Sequence, residues 1–95
     1  MVTHLHCGFK VKNFDQWKKG YDASIEQRKA SGEMSFQVFR SEDDPNTVTV
    51  ISVQKSAEQV QAFINSPDLR KRMEGAGVTQ MGQMFIMEVV DKGTH

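Results

Sequence analysis

The chain has 95 residues, enough for one domain (1–95) and too few for a second core. Its 12 Lys and Arg balance 12 Asp and Glu, so the formal charge is zero, which argues against nucleic acid or an anionic membrane as a partner. A single cysteine, Cys7, rules out an internal disulfide and a cysteine metal cluster; with no basic leader segment and no apolar run of membrane-spanning length, a cytoplasmic protein is expected.

Leu5 to Val11 alternates, with Leu5, Cys7, Phe9 and Val11 apolar and His4, His6, Gly8 and Lys10 between them. Period two predicts a strand with one face buried in its own domain. Asn13, with Gln16 three residues on, reads as a helix cap. Phe14, Trp17 and Tyr21 then recur at helical steps, and Gly32 supplies a left-handed stop. Two strands follow, at about 35–41 and 47–54, rich in β-branched and aromatic residues. Glu42-Asp43-Asp44-Pro45-Asn46 between them has turn chemistry, so the two form an antiparallel hairpin.

Ser56 with Gln59 opens a helix whose apolar side is Ala57, Val60, Phe63 and Ile64. Ser66-Pro67 restarts it, Leu69 and Met73 continue the buried side, and Gly75 and Gly77 end it. The basic run Arg70-Lys71-Arg72, beside Asp68 and Glu74, reads as a solvated face. Gly75-Ala76-Gly77 follows a helix instead of opening one, so it is no phosphate loop. A last strand spans roughly 83–90, and a polar tail ends the chain.

The order β-α-β-β-α-β predicts an α+β, ferredoxin-like domain: a four-stranded antiparallel sheet with two helices on one face. The other face should then be polar if the chain stands alone. Instead Phe36 and Val38 oppose Phe39, Val48 and Val50 oppose Ile51 and Val53, and Met84 and Ile86 oppose Phe85, Met87 and Val89. Strands apolar on both sides are buried on both sides, and the simplest cover is a second copy, giving a homodimer. His4 and His6 point at that shared face, roughly 6.8 Å apart along the strand.

Val11-Lys12-Asn13-Phe14-Asp15-Gln16-Trp17, Gln37-Val38-Phe39-Arg40, Asp43-Asp44-Pro45-Asn46, and Ser66-Pro67-Asp68-Leu69-Arg70 through Gly75-Ala76-Gly77-Val78 together resemble the dimeric α/β-barrel superfamily. Within it the chain is similar to small antibiotic-biosynthesis-monooxygenase-like and cyclase-like proteins, over nearly its whole length. The resemblance implies two protomers whose sheets close into a barrel. It also implies ligand pockets between sheet and helices or within the barrel, and an activity drawn from cofactor-free oxygenases or cyclases of aromatic polyketides. No cofactor is implied. The haem-degrading branch relies on a histidine ligand in the second half, where this chain has only His95 in its tail.

On that footing His6 is the expected base, since imidazole takes protons near neutral pH, and His4 its companion. The plainer reading is a pair of histidines hydrogen-bonded at an interface. Two imidazoles are short of the three or four ligands zinc needs, so no metal site is predicted. Arg40 is expected either to clamp a ligand carboxylate or phenolate or to pair with Glu42 or Asp43. Trp17 belongs to the core stripe and could floor a pocket for a flat ligand. Met84 joins Trp17 and Arg40 as an expected ligand contact, since thioethers adapt to apolar ligands. Cys7 reads as an inert buried thiol.

Three functions follow: a cofactor-independent monooxygenase or cyclase acting on a small, flat, largely apolar molecule; a dimer that binds such a ligand without changing it; or a packed dimer with no ligand.

Overall fold

The computed structural model describes residues 3–95, apart from the side chain of Gln83. The elements are β1 (Thr3–Val11), α1 (Phe14–Ala23), α2 (Ile25–Ala30), β2 (Glu33–Arg40), β3 (Thr47–Gln54), α3 (Ala57–Ile64), α4 (Pro67–Gly75) and β4 (Val78–Glu88). The strands form one antiparallel sheet in the order β2-β3-β1-β4. This is the expected ferredoxin-like sheet, with the chain's first and third strands at its centre.

The caps read from sequence are made. Asn13 Oδ1 accepts from the Gln16 N–H at 3.0 Å, Ser56 Oγ from the Gln59 N–H at 3.3 Å, and Ser66 Oγ from the Asp68 N–H at 3.4 Å. Each satisfies a backbone donor that a helix start otherwise leaves open. The hairpin turn has a second duty. Asn46 Oδ1 accepts from the Phe14 N–H and its carbonyl from the Val11 N–H, so the turn also anchors the start of α1.

Three boundaries differ from expectation. The first helix breaks in two at Ser24, whose hydroxyl donates to the Tyr21 carbonyl at 2.7 Å and diverts it from regular helix bonding. β2 begins at Glu33, because the Lys55 N–H reaches the Gly32 carbonyl and starts the pairing early. β4 begins at Val78, not near Gln83, and stops at Glu88, so Val89 lies outside it. The polar stretch Thr79-Gln80 carries no strand pattern of its own; pairing of Val11 with Val78 and Lys10 with Gln80 imposes the strand.

The core sits between sheet and helices, in the cluster Phe9, Val11, Trp17, Val48 and Val50, with Leu5, Val60 and Leu69 buried beyond it. Trp17 is its hub: the ring lies 5.3 Å from Phe9 and 4.9 Å from Tyr21, with the latter pair stacked. The molecule measures 36 × 35 × 22 Å, and its short dimension is that of one sheet plus one helix layer at about 10 Å each. The far side of the sheet is therefore bare. Phe39 and Phe85 there are each 46% exposed and Met87 is 43% exposed, on the face the alternation assigned to them.

Beside the irregularity between Cys7 and Phe9, β4 presses backbone against backbone. A Cβ on Gly82 would sit 2.4 Å from the Gly8 carbonyl oxygen, a contact no side-chain rotation relieves. Gly82→Ala should therefore destabilise the fold by about 1–3 kcal/mol, the usual cost of overpacking. Gly20→Ala, in α1 with nothing within 4 Å of the new methyl, should stabilise by about 1 kcal/mol. Paired urea titrations that gave shifts of the same sign would contradict this account of the sheet.

Candidate functional site

A cavity of about 470 Å³ lies between the sheet and the helices, within the roughly 300–1,000 Å³ range of small-molecule sites. Each wall follows from a periodicity. The inward side chains of β1 (Leu5, Cys7, Phe9) and β3 (Val50, Ser52) make the floor, with Met84 of β4 beside Cys7. Trp17 and Tyr21 of α1 wall one side, and Val60, Leu69 and Met73 of α3 and α4 wall another.

Polar groups enter this apolar space at a few places. Arg28 Nη1 donates to Glu33 Oε2 at 2.5 Å, and the guanidinium also donates to the Tyr21 carbonyl and to Ser24 Oγ. Its plane lies 3.7 Å above the Tyr21 ring and 4.7 Å from the Phe36 ring. Burial pushes the Glu33 carboxyl above the usual range, and the attraction of Arg28 only partly offsets it. Ser52 is buried and accepts from Gln54 Nε2 at 2.7 Å. The Tyr21 hydroxyl has no hydrogen-bond partner among the described residues. Burial raises its pKa from 10.0 to about 12, and that of Cys7 from 9.0 to about 11. Both groups therefore keep their protons at neutral pH, and Glu33 is the only carboxylate among the described residues that line the cavity.

The residues singled out from sequence divide between two faces. Trp17 and Met84 line the cavity. His4 and His6 stand on the opposite side of the sheet, rings 6.5 Å apart edge to face, opposite Val53 and Ile51 and opposite Met87 and Phe85. They lie on the face the helices leave bare, as the parity of β1 requires, and neither lines the cavity. An imidazole on that side is separated by the sheet itself from anything held against Cys7. Arg40 is also outside the cavity. It neither clamps it nor pairs with Glu42 or Asp43; its guanidinium lies 4.7 Å from the Phe14 ring, where the start of α1 crosses the end of β2. No group of three His, Cys, Asp or Glu among the described residues could hold a metal ion. No helix among them is long and apolar enough to cross a membrane.

Arg28, Glu33, Tyr21 and Ser52 were not singled out as site residues. Ser52 had a visible signal, a hydroxyl on the side of β3 that Val48 and Val50 make apolar. Arg28 and Glu33 had none, since they meet only through the turn at Gly32, where φ is +109° and a Cβ would strike Gln59.

No protein-family model matches the chain, and no curated protein does. Solved structures do. A candidate antibiotic biosynthesis monooxygenase from Bordetella bronchiseptica superposes with a TM-score of 0.77 at 14% identity, covering 94% of this chain and 97% of that one. SnoaB, a cofactor-independent oxygenase from Streptomyces nogalater, gives 0.70 at 12% identity over 96% and 94%. A conserved protein from Methanosarcina mazei Go1 gives 0.67 at 13% identity over 92% and 91%. The chain therefore has the ferredoxin-like fold seen in antibiotic-biosynthesis-monooxygenase proteins, over nearly its whole length.

The raised pKa of Cys7 has a measurable sign. Folding favours the neutral thiol, so its contribution to stability is complete below pH 9.0 and is lost as pH climbs to about 11. Cys7→Ala should flatten the part of the alkaline loss in that window, read from denaturation curves at stepped pH. Alkylation of native Cys7 near neutral pH should run about a hundredfold slower than that of a free thiol. A rate equal to the free thiol's would show that the floor of the cavity is not dry.

Proposed function

We propose that the protein is a cofactor-independent monooxygenase acting on a small, flat, largely apolar molecule of aromatic polyketide type. The observation carrying this reading is the cavity of about 470 Å³ on the helix side of the sheet, in a fold shared with a cofactor-independent oxygenase. Trp17, Phe9 and Val50 offer a flat ligand apolar contact.

The chemistry asks little of the protein. A base removes a proton from a methylene or phenol activated by neighbouring rings, and the electron-rich anion reacts with dioxygen. For a methylene becoming a carbonyl, one oxygen atom enters the product and the other leaves as water with the two hydrogens. The substrate supplies all the electrons, so no external reductant is required. In this reading Glu33 is the base, because Cys7 and Tyr21 hold their protons and a carboxylate raised toward neutrality is better matched to the transfer. Arg28 positions it. His4 and His6 stand at the seam of a homodimer, whose second copy covers Phe39, Ile51, Phe85 and Met87.

One observation favours a second reading, binding without turnover: the one carboxylate of the cavity is already held in an ion pair. Incubation with an anthrone-type substrate separates the two. Turnover is expected as dioxygen uptake with a product that has gained one oxygen and lost two hydrogens. Glu33→Gln should lower the rate at least tenfold, in line with general-base contributions of about 10²–10⁴. If His6→Ala abolishes the rate and Glu33→Gln spares it, the base is the imidazole and the reaction belongs to the shared face. Binding with no product would favour the second reading.

The assembly has its own test. Light scattering at micromolar concentration should give twice the chain mass. Phe85→Lys, which sets an unpaired charge in the proposed seam, should weaken association at least tenfold. A wild-type chain that stays single would remove the dimer.

A further inference from the structure

The charges on the cavity wall do not cancel. Arg28 and Glu33 offset each other at 2.5 Å, and the one other charged side chain among the described residues that line the cavity is Arg72. It comes from the basic run Arg70-Lys71-Arg72, which the sequence reads as a single solvated face. The helix divides that run. Leu69, Arg72, Met73 and Ala76 follow one another at steps of three and four, all four line the cavity, and Leu69 is buried there. Arg70 and Lys71 point elsewhere on α4 and do not line it, and neither do the carboxylates of Asp68 and Glu74. Among the described residues the Arg72 guanidinium makes no ion pair and no hydrogen bond.

Arg72 is thus a permanent cation with five donors, set at the edge of an apolar space without a protein counter-ion. A neutral ligand would leave it unused. A dianion such as a phosphate monoester would bring two charges to one arginine. A carboxylate matches both its charge and its forked geometry.

Resting on the reading that the cavity takes a small flat apolar molecule, we infer that this molecule carries a single carboxylate-type acid, which Arg72 holds at the cavity mouth while the apolar body lies against Trp17, Val50 and Met84. Arg72 is then a specificity-determining residue. Because it is exposed, its preference is modest and weakens with salt.

A matched pair of probes tests this by calorimetric titration: 2-naphthoate, which has the acid, and 2-naphthamide, which has the same rings and no charge. The wild-type chain and Arg70→Gln should bind the acid about tenfold more tightly than the amide. Arg72→Gln should bind the two equally, with affinity for the amide unchanged, and Arg72→Lys should retain part of the preference. Since Arg72 is exposed, these variants leave the core intact. Equal affinity of the wild type for both probes would overturn the acid assignment and leave the apolar cavity standing. A preference that survives in Arg72→Gln would also overturn it. Binding of neither probe at millimolar concentration would overturn the cavity reading and this inference together.

Discussion

Side chains of β1 alternate between two chemical worlds, and the rest of the molecule is arranged around that alternation. β1 lies between β3 and β4, so its odd residues Leu5, Cys7 and Phe9 are enclosed by sheet neighbours and by helices. Its even residues His4, His6 and Lys10 stand on the face that the helices leave bare. A shift of one residue in register would exchange the two sets and put imidazoles in the cavity and a thiol on the bare face. The register is held by the pairing of Leu5 with Ser52 and Cys7 with Val50 on one side, and of Leu5 with Ile86 and Cys7 with Met84 on the other. It is also held by the close crossing of β1 and β4 at Gly8, where Gly82 admits no side chain.

From this parity comes the chemical character of the enclosed side. A partly buried thiol and a partly buried phenol keep their protons, because burial penalises the charged form of each. Glu33 is carried in from the first residue of β2 and stays within reach of Arg28, which spans the turn from α2. The guanidinium is pressed against Tyr21 and Phe36, so one arginine balances the acid and also seals the end of the aromatic row that begins at Phe9. The bare side has the opposite character: large exposed apolar groups with two imidazoles among them, a surface that suits another sheet better than water.

At 12–14% identity to the structures that share its fold, the chain keeps the pattern of the domain more than its letters. That is what layer packing demands. Alternation, helix stripes and caps can be met by many residues, whereas the reactive groups of a cavity are free to differ from one protein to the next.

The sequence by itself determined the order of elements, the caps at Asn13, Ser56 and Ser66, the hairpin turn before Thr47, and the side of the sheet to which each residue of β1 belongs. These are local properties: a hydroxyl or amide reaching a nearby backbone N–H, and a side-chain period of two or of three to four. Only the tertiary structure decided which side holds the cavity, and so that Trp17 and Met84 line it while His4, His6 and Arg40 do not. It also decided the union of Arg28 with Glu33, the stacking of Arg40 on Phe14, the inward turn of Arg72, and a β4 that starts at Val78. Each of these depends on how far apart two layers stand or on a partner distant in the chain, and neither quantity is written in the spacing of neighbouring residues.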